Sequence, residues 1–145
     1  MSEKCTKLSK EELRHVREIE GESPYIVWTD IYATGDDIQV IVGGGDRPHV
    51  GAIALAEPGT TTHPVTGETI KNVEEDSCKI TAISGQGHKE KEVAIAFAKA
   101  FCVAFEVNVA ASVGIHIDDA TKEEIVIFTE NINRLISKSI DTWRT

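Results

Sequence analysis

Three segments of the chain place histidine beside glycine at the end of an apolar run. They are Gly43-Gly44-Gly45-Asp46-Arg47-Pro48-His49, Gly85-Gln86-Gly87-His88-Lys89 and Gly114-Ile115-His116-Ile117-Asp118-Asp119. Glycine lets a backbone approach a ligand closely or turn through positive φ. Successive amides in such a loop form a concavity that holds an anion. Arg47 offers a planar fork for phosphate and Lys89 a mobile positive charge. His49, His88 and His116 supply hydrogen bonds or proton transfer near neutral pH. The chemistry these residues fit best is the binding of a small anionic molecule.

Each segment also has a plainer reading. Gly85-Gln86-Gly87 leads into a helix N-terminus, where free N–H groups attract anions. Yet it matches neither G-x-G-x-x-G nor a Walker A loop, and a tight turn explains it as well. The triple glycine fits a hairpin loop, and Arg47 a surface pair with Asp46. Asp118 and Asp119 also fit as caps of the last helix. His15 and His63 read as surface residues. No two histidines stand at i, i+4 on a helix, so no metal is predicted. There is no GxSxG, and no cysteine lies in a basic, glycine-rich setting, so no catalytic nucleophile is assigned.

The elements that must position these segments follow from periodicity. Ser9 and Glu12 read as a capping box for a leading helix from about Lys10 to Glu20, with Leu13, Val16 and Ile19 on one stripe. Tyr25–Ala33, Ile38–Val42 and His49–Ala56 read as three strands, joined by short loops into an antiparallel meander. The stretch 57–77 lacks periodicity; it is a long loop, a candidate lid, with room for a small hairpin around Thr66-Gly67-Glu68. Cys78–Ile83 is a fourth strand and Lys89–Phe105 a helix. Val93, Phe97, Phe101 and Phe105 share one face of that helix, alanines fill its flanks, and it is expected to be covered on both sides. Val107–Ile117 is a fifth strand. Thr121 and Glu124 cap a last helix that runs to about Trp143. The order α-β-β-β-loop-β-α-β-α predicts an α+β fold with a mixed, mainly antiparallel sheet of about five strands and helices on one face. The unit around the central helix would add one parallel crossover.

Composition bounds the partners. The 145 residues suit one domain, 1–145. Fifteen basic residues face 24 acidic ones, a net charge of −9, with no basic run, so nucleic acid is not an expected partner. No apolar stretch approaches the roughly 20 residues of a membrane span, and nothing after Met1 reads as a signal peptide. Cys5, Cys78 and Cys102 form no CxxC and make an odd set, which fits free thiols in a reducing, cytoplasmic setting.

Taken in order, GGGDRPHVGAIALA, GHKEKE and GIHIDDATKEEI resemble the LpdD-like family, small proteins associated with UbiD-type decarboxylases and with their prenylated flavin cofactor (prenyl-FMN). The resemblance runs from about Tyr25 to Leu135. It implies a cofactor chaperone, not an enzyme, that shields, matures or delivers prenyl-FMN or FMN to an apo-decarboxylase. It places the phosphate on Gly44, Gly45, Arg47, His88 and Lys89, adds Gly87 to the cofactor-binding residues, sets His49 and His116 toward the ligand, and offers Trp28, Tyr32 and the Val50–Leu55 strand as a wall for the ring. Two other functions fit the same residues. One is a small lyase or isomerase with histidine acid–base chemistry at His49, His88 or His116. The other is an assembly factor without a ligand, in which the apolar helix is a subunit interface. Either way the apolar and amphipathic helices predict a homo-oligomer, a dimer first.

Overall fold

Val27, Thr29 and Ile31 alternate with Trp28, Asp30 and Tyr32, and a period of two sends the first set to one side of a strand and the second to the other. In the computed structural model this alternation continues across a six-stranded sheet. The structure describes residues 14–62, 69–71, 78–85 and 89–145, with only the backbone described at 60–62, 69–71 and 89. The strands are β1 (His15–Glu20), β2 (Val27–Thr34), β3 (Asp37–Gly45), β4 (Ala52–Pro58), β7 (Cys78–Ser84) and β8 (Val109–His116). Two short strands, β5 (Thr60–Thr62) and β6 (Thr69–Lys71), pair with each other. The helices are α1 (Lys89–Phe105) and α2 (Lys122–Arg144).

The fold is α+β with a mixed sheet, in the order β1-β2-β3-β8-β4-β7. Only β3 and β8 pair in parallel; the other pairs of this sheet are antiparallel. The sheet therefore has six strands where about five are expected, and β3 and β4 are not neighbours in a meander. β8, last in sequence, slots between them. Strands β7 and β8, which flank α1 in sequence, both pair antiparallel with β4, so they run parallel to each other one strand apart.

One side of the sheet carries the core. Val27 and Ile31 of β2, Ile38, Val40 and Val42 of β3, Val109, Ala111 and Val113 of β8, and Ala52, Ala54 and Ala56 of β4 are all buried there. The three alanines leave space above β4, and α1 fills it with Phe97 and Phe101, both fully buried. Ala94, Ala98 and Cys102 complete the buried stripe of α1, whereas Ala96 and Val103 face out. The sheet covers this stripe and α2 touches the helix as well, while the side with Ala96 and Val103 is exposed in the single chain. Burial pushes the Cys102 thiol up to about 12, helped by a hydrogen bond with Cys78. Both are free thiols. Helix α2 starts at the predicted capping box, with Thr121 and Glu124 bonding each other's backbone N–H at 3.1 Å. It buries Phe128, Ile132 and Leu135. No helix is long and apolar enough to cross a membrane among the described residues.

The predicted leading helix is corrected from His15 onward. His15–Glu20 is an edge strand paired with β2, while Ser9, Glu12 and Leu13 lie outside the described residues. The spacing of Val16 and Ile19 satisfied a helical stripe, but the strand turns Val16 inward and leaves Ile19 half exposed outside. Tertiary pairing decides the outcome. Inward-facing Glu18 and Glu20 meet the polar flank of α2: Thr142 donates to Glu18 at 2.7 Å, and Arg134 meets Glu20 at 3.3 Å. Arg14 donates to the carbonyls of Trp143 and Thr142 at 2.6 and 2.9 Å. Within the 57–77 stretch β5 and β6 pair antiparallel, where a small hairpin is expected; residues 63–68 lie outside the described residues.

On the other side of the sheet, Arg17 grips Asp30 with two hydrogen bonds, at 2.8 and 2.7 Å, and His15 adds a third at 3.0 Å. Asp30 is buried, and its carboxyl is held below the usual range, chiefly by the Arg17 hydrogen bond and against the effect of burial. Asp30→Asn should destabilise the fold by about 1–3 kcal/mol at pH 7. A depressed carboxyl stabilises above its unfolded value, near 3.9, and that contribution is lost as pH falls through the lower folded value. Urea titrations of the two proteins should therefore show a gap at pH 7 that narrows below about pH 4. A gap independent of pH would mean that the charge of Asp30 is irrelevant.

Candidate functional site

Because β8 lies between β3 and β4, the connection 46–51 has to pass the end of β8. Gly114 makes the passage. A Cβ at this position would lie 1.5 Å from the His49 carbonyl oxygen, so only glycine lets the loop lie so close. Gly51 N–H then donates to the Val113 carbonyl at 2.9 Å and the chain enters β4. Gly45, at φ +71°, begins the departure from β3; Asp46 N–H donates to the His116 carbonyl at 2.7 Å. His49 and His116 are thereby brought together from distant sequence, their rings edge-on with centroids 6.2 Å apart.

Two acid–base groups surround them. Arg47 Nη2 donates to Asp118 Oδ1 at 2.8 Å, and His116 Nε2 lies 2.9 Å from the same oxygen. The Asp118 carboxyl is held below its usual range, first by the His116 hydrogen bond and then by the Arg47 charge. Arg47 and Asp118 are 65% and 68% exposed, so this is a solvated pair that is cheap to break. On the other side, His49 Nε2 lies 3.0 Å from Oε1 of Glu90, in the first turn of α1. Glu90 is only 15% exposed. Gly51 makes room for it: a Cβ there would fall 1.3 Å from Glu90 Oε2. His49 Nδ1 is 2.9 Å from the Arg47 carbonyl oxygen, which only accepts. Both ring nitrogens therefore face acceptors within the chain.

The structure thus gathers Arg47, His49 and His116, with Gly45 beneath them. Gly44 lies in the ladder between β2 and β8, opposite Val27 and Ile115. The N–H groups of Gly45 and Asp46 donate to the carbonyls of Ile26 and His116, so these two amides are committed to the fold. Arg47 pairs with Asp118, not with Asp46. Gly87 and His88 lie outside the described residues. Lys89 is the first residue of α1, and its side chain is likewise outside them. Among the proposed ring-wall residues, Trp28 lies on Gly43, where a Cβ would meet the indole at 2.3 Å, and Arg17 sits 5.2 Å from its ring centroid. Tyr32 is stacked on His15 at 4.4 Å. Sequence reasoning missed Glu90, which reads as one more acid in GHKEKE. Its one signal is a place in the first turn of a helix, where a carboxylate is favoured. Among the described residues no three His, Cys, Asp or Glu side chains are grouped to hold a metal ion.

Residues 21–144 match the prenylated flavin chaperone LpdD-like domain family. No curated protein matches the chain in sequence. Among solved structures, the fold is similar to a chain of a novel chaperone complex for yeast 20S proteasome assembly, at 11% identity and a TM-score of 0.54, over 92% of this chain and 96% of that one. At such identity the likeness is one of fold.

The crossing at Gly114 can be tested. Gly114→Ala forces the 46–51 loop off β8 and should cost about 1–3 kcal/mol. It should also shift the His49 and His116 ring resonances together in NMR spectra. Gly85→Ala meets its nearest atom at 3.6 Å, an ordinary contact, and should stay within about 0.5 kcal/mol of the parent. Equal effects of the two substitutions would remove the crossing as the constraint.

Proposed function

The chain belongs to the prenylated flavin chaperone LpdD-like domain family, and we propose that it is a cytoplasmic carrier that binds prenyl-FMN through the cluster around Arg47 and delivers it to a UbiD-type decarboxylase. The observation that carries this reading is the convergence of Arg47, His49 and His116 at the carboxyl ends of β3 and β8, the parallel pair of the sheet. In α/β sheets, ligands favour the carboxyl ends of parallel strands where connections diverge. Here the chain leaves β3 across β8 and leaves β8 toward α2. A flavin phosphate would meet the Arg47 fork and the His116 ring, the two groups that Asp118 holds in the structure. To do so it would displace the Asp118 carboxylate from Arg47 and His116, an exchange between solvated partners that costs little. The cluster positions and charges; no nucleophile or completed acid–base pair aimed at a substrate is assigned, and the role is stoichiometric.

Binding of prenyl-FMN, FMN and riboflavin, measured anaerobically by flavin fluorescence, tests the assignment. Arg47→Ala should weaken both phosphate-bearing flavins by about tenfold or more, the loss of one charge-assisted contact, and leave riboflavin unchanged. Asp118→Asn frees Arg47 and His116 and should tighten FMN binding. Weaker binding in Asp118→Asn, or an Arg47→Ala loss that riboflavin shares, would move the phosphate elsewhere. For delivery, loaded protein should activate an apo-decarboxylase of the UbiD type faster than free prenyl-FMN. Equal rates would leave a binding protein without a delivery role.

A further inference from the structure

Both helices lie on one side of the sheet, and the opposite side carries its own apolar surface. Across β3, β8, β4 and β7 the paired residues on that side are Ile41, Ser112, Ile53 and Ile83. Ile53 is 51% and Ile83 72% exposed, and Leu55 lies in the next row at 40%. The centre of this side, Ile41, Ser112, Ile53 and Leu55, carries no charge. Arg17 is paired with Asp30 toward one edge, and Glu57 stands opposite Lys79 in the β4–β7 register. Such a centre loses water without burying a charge.

We propose that this sheet face is the interface of a homodimer, in which two copies stack face to face with their helices outward. Three features favour a second copy over a different protein. The first is relief. The residues of β8 on this side that stay uncovered are small, Ala110 and Ser112, while β4 beside it presents Ile53 and Leu55; beyond them the 46–51 loop covers Gly114. Ridge and groove lie side by side on one surface, so a two-fold axis seats the β4 ridge of each copy in the β8 groove of the other. A closed two-fold interface requires such self-complementarity. The second is size. Six strands about 4.8 Å apart and about seven residues long at about 3.3 Å each span on the order of 600 Å² in plan. Side-chain relief raises that toward the roughly 800 Å² per partner of a standard interface. The third is charge. The chain carries a net −9, which repels a second copy at most orientations, and the uncharged centre of this face is a place where two copies meet without bringing charges together. The dimer is independent of the flavin reading.

Sedimentation equilibrium of the full chain tests the interface. The wild type should have twice the chain mass at tens of micromolar. Ile53→Arg and, separately, Ile41→Arg place an unpaired charge in the centre of the face and should weaken the dimer by about a hundredfold or more. Both side chains are exposed in the single chain, so the circular dichroism spectrum should be unchanged. Val126→Arg, at an exposed position of α2 (55%), should leave the dimer intact. A monomeric wild type would overturn the proposal and assign the face to another occupant, residues 1–13 or a different protein. So would a dimer that survives both substitutions.

Discussion

The architecture depends on one close approach, that of the His49 backbone to Gly114. β8 enters the sheet after β3 and β4 have already been made in sequence, and it sits between them. The six residues from Asp46 to Gly51 must therefore clear β8 within a short reach. At any residue with a side chain, the loop would have to rise by an ångström or more, and the Gly51–Val113 hydrogen bond that starts β4 would stretch. Hydrogen bonds in a sheet are short-range, and that displacement would forfeit them. Glycine at 114 thus permits the strand order, and the strand order sets His49 beside His116.

The same insertion explains why the glycines are so dense here. Gly43 accommodates the Trp28 indole, Gly51 the Glu90 carboxylate, and Gly114 the loop. Glycine-rich segments invite a ligand-binding reading because glycine allows close approach. At these three positions the approaching group belongs to the chain itself. The proposed ligand site is left to side chains that the close packing brings together, Arg47 and His116 with His49 beside them.

Much of the fold is legible in the sequence for local reasons. Strand alternation in 27–34, 37–45, 52–58 and 78–84, the capping box at Thr121 and the i, i+4 phenylalanines of α1 are all short-range patterns, and each element forms close to its predicted span. The failures are long-range. His15–Glu20 reads as helix because Val16 and Ile19 fit either period. Its strand is settled by partners more than a hundred residues away, Arg134 and Thr142, which give Glu18 and Glu20 a reason to face inward. Nothing local in VAASVGIH says that it will separate β3 from β4. The same limit applies at the site. Arg47 and His116 are visible as residue types, but Asp118 as their shared acceptor and Glu90 as the partner of His49 depend on the crossing.

A carrier of the proposed kind must hold its cargo and also release it, and the energetics of the cluster suit both demands. Glu90 is nearly buried beside Gly51 and fixes His49 from one side, so that imidazole is oriented before any ligand arrives. Asp118 is exposed and binds Arg47 and His116 only through solvated contacts. The site is therefore rigid at the residue that must be aimed and loose at the residues that must exchange partners. In the structure Asp118 keeps Arg47 from standing unpaired. A phosphate bound there as proposed would take the place of that carboxylate, and on release the carboxylate would return, so unloading would never leave Arg47 uncompensated. An acidic competitor of this kind would lower affinity and give a receiving protein with a dedicated phosphate site the advantage.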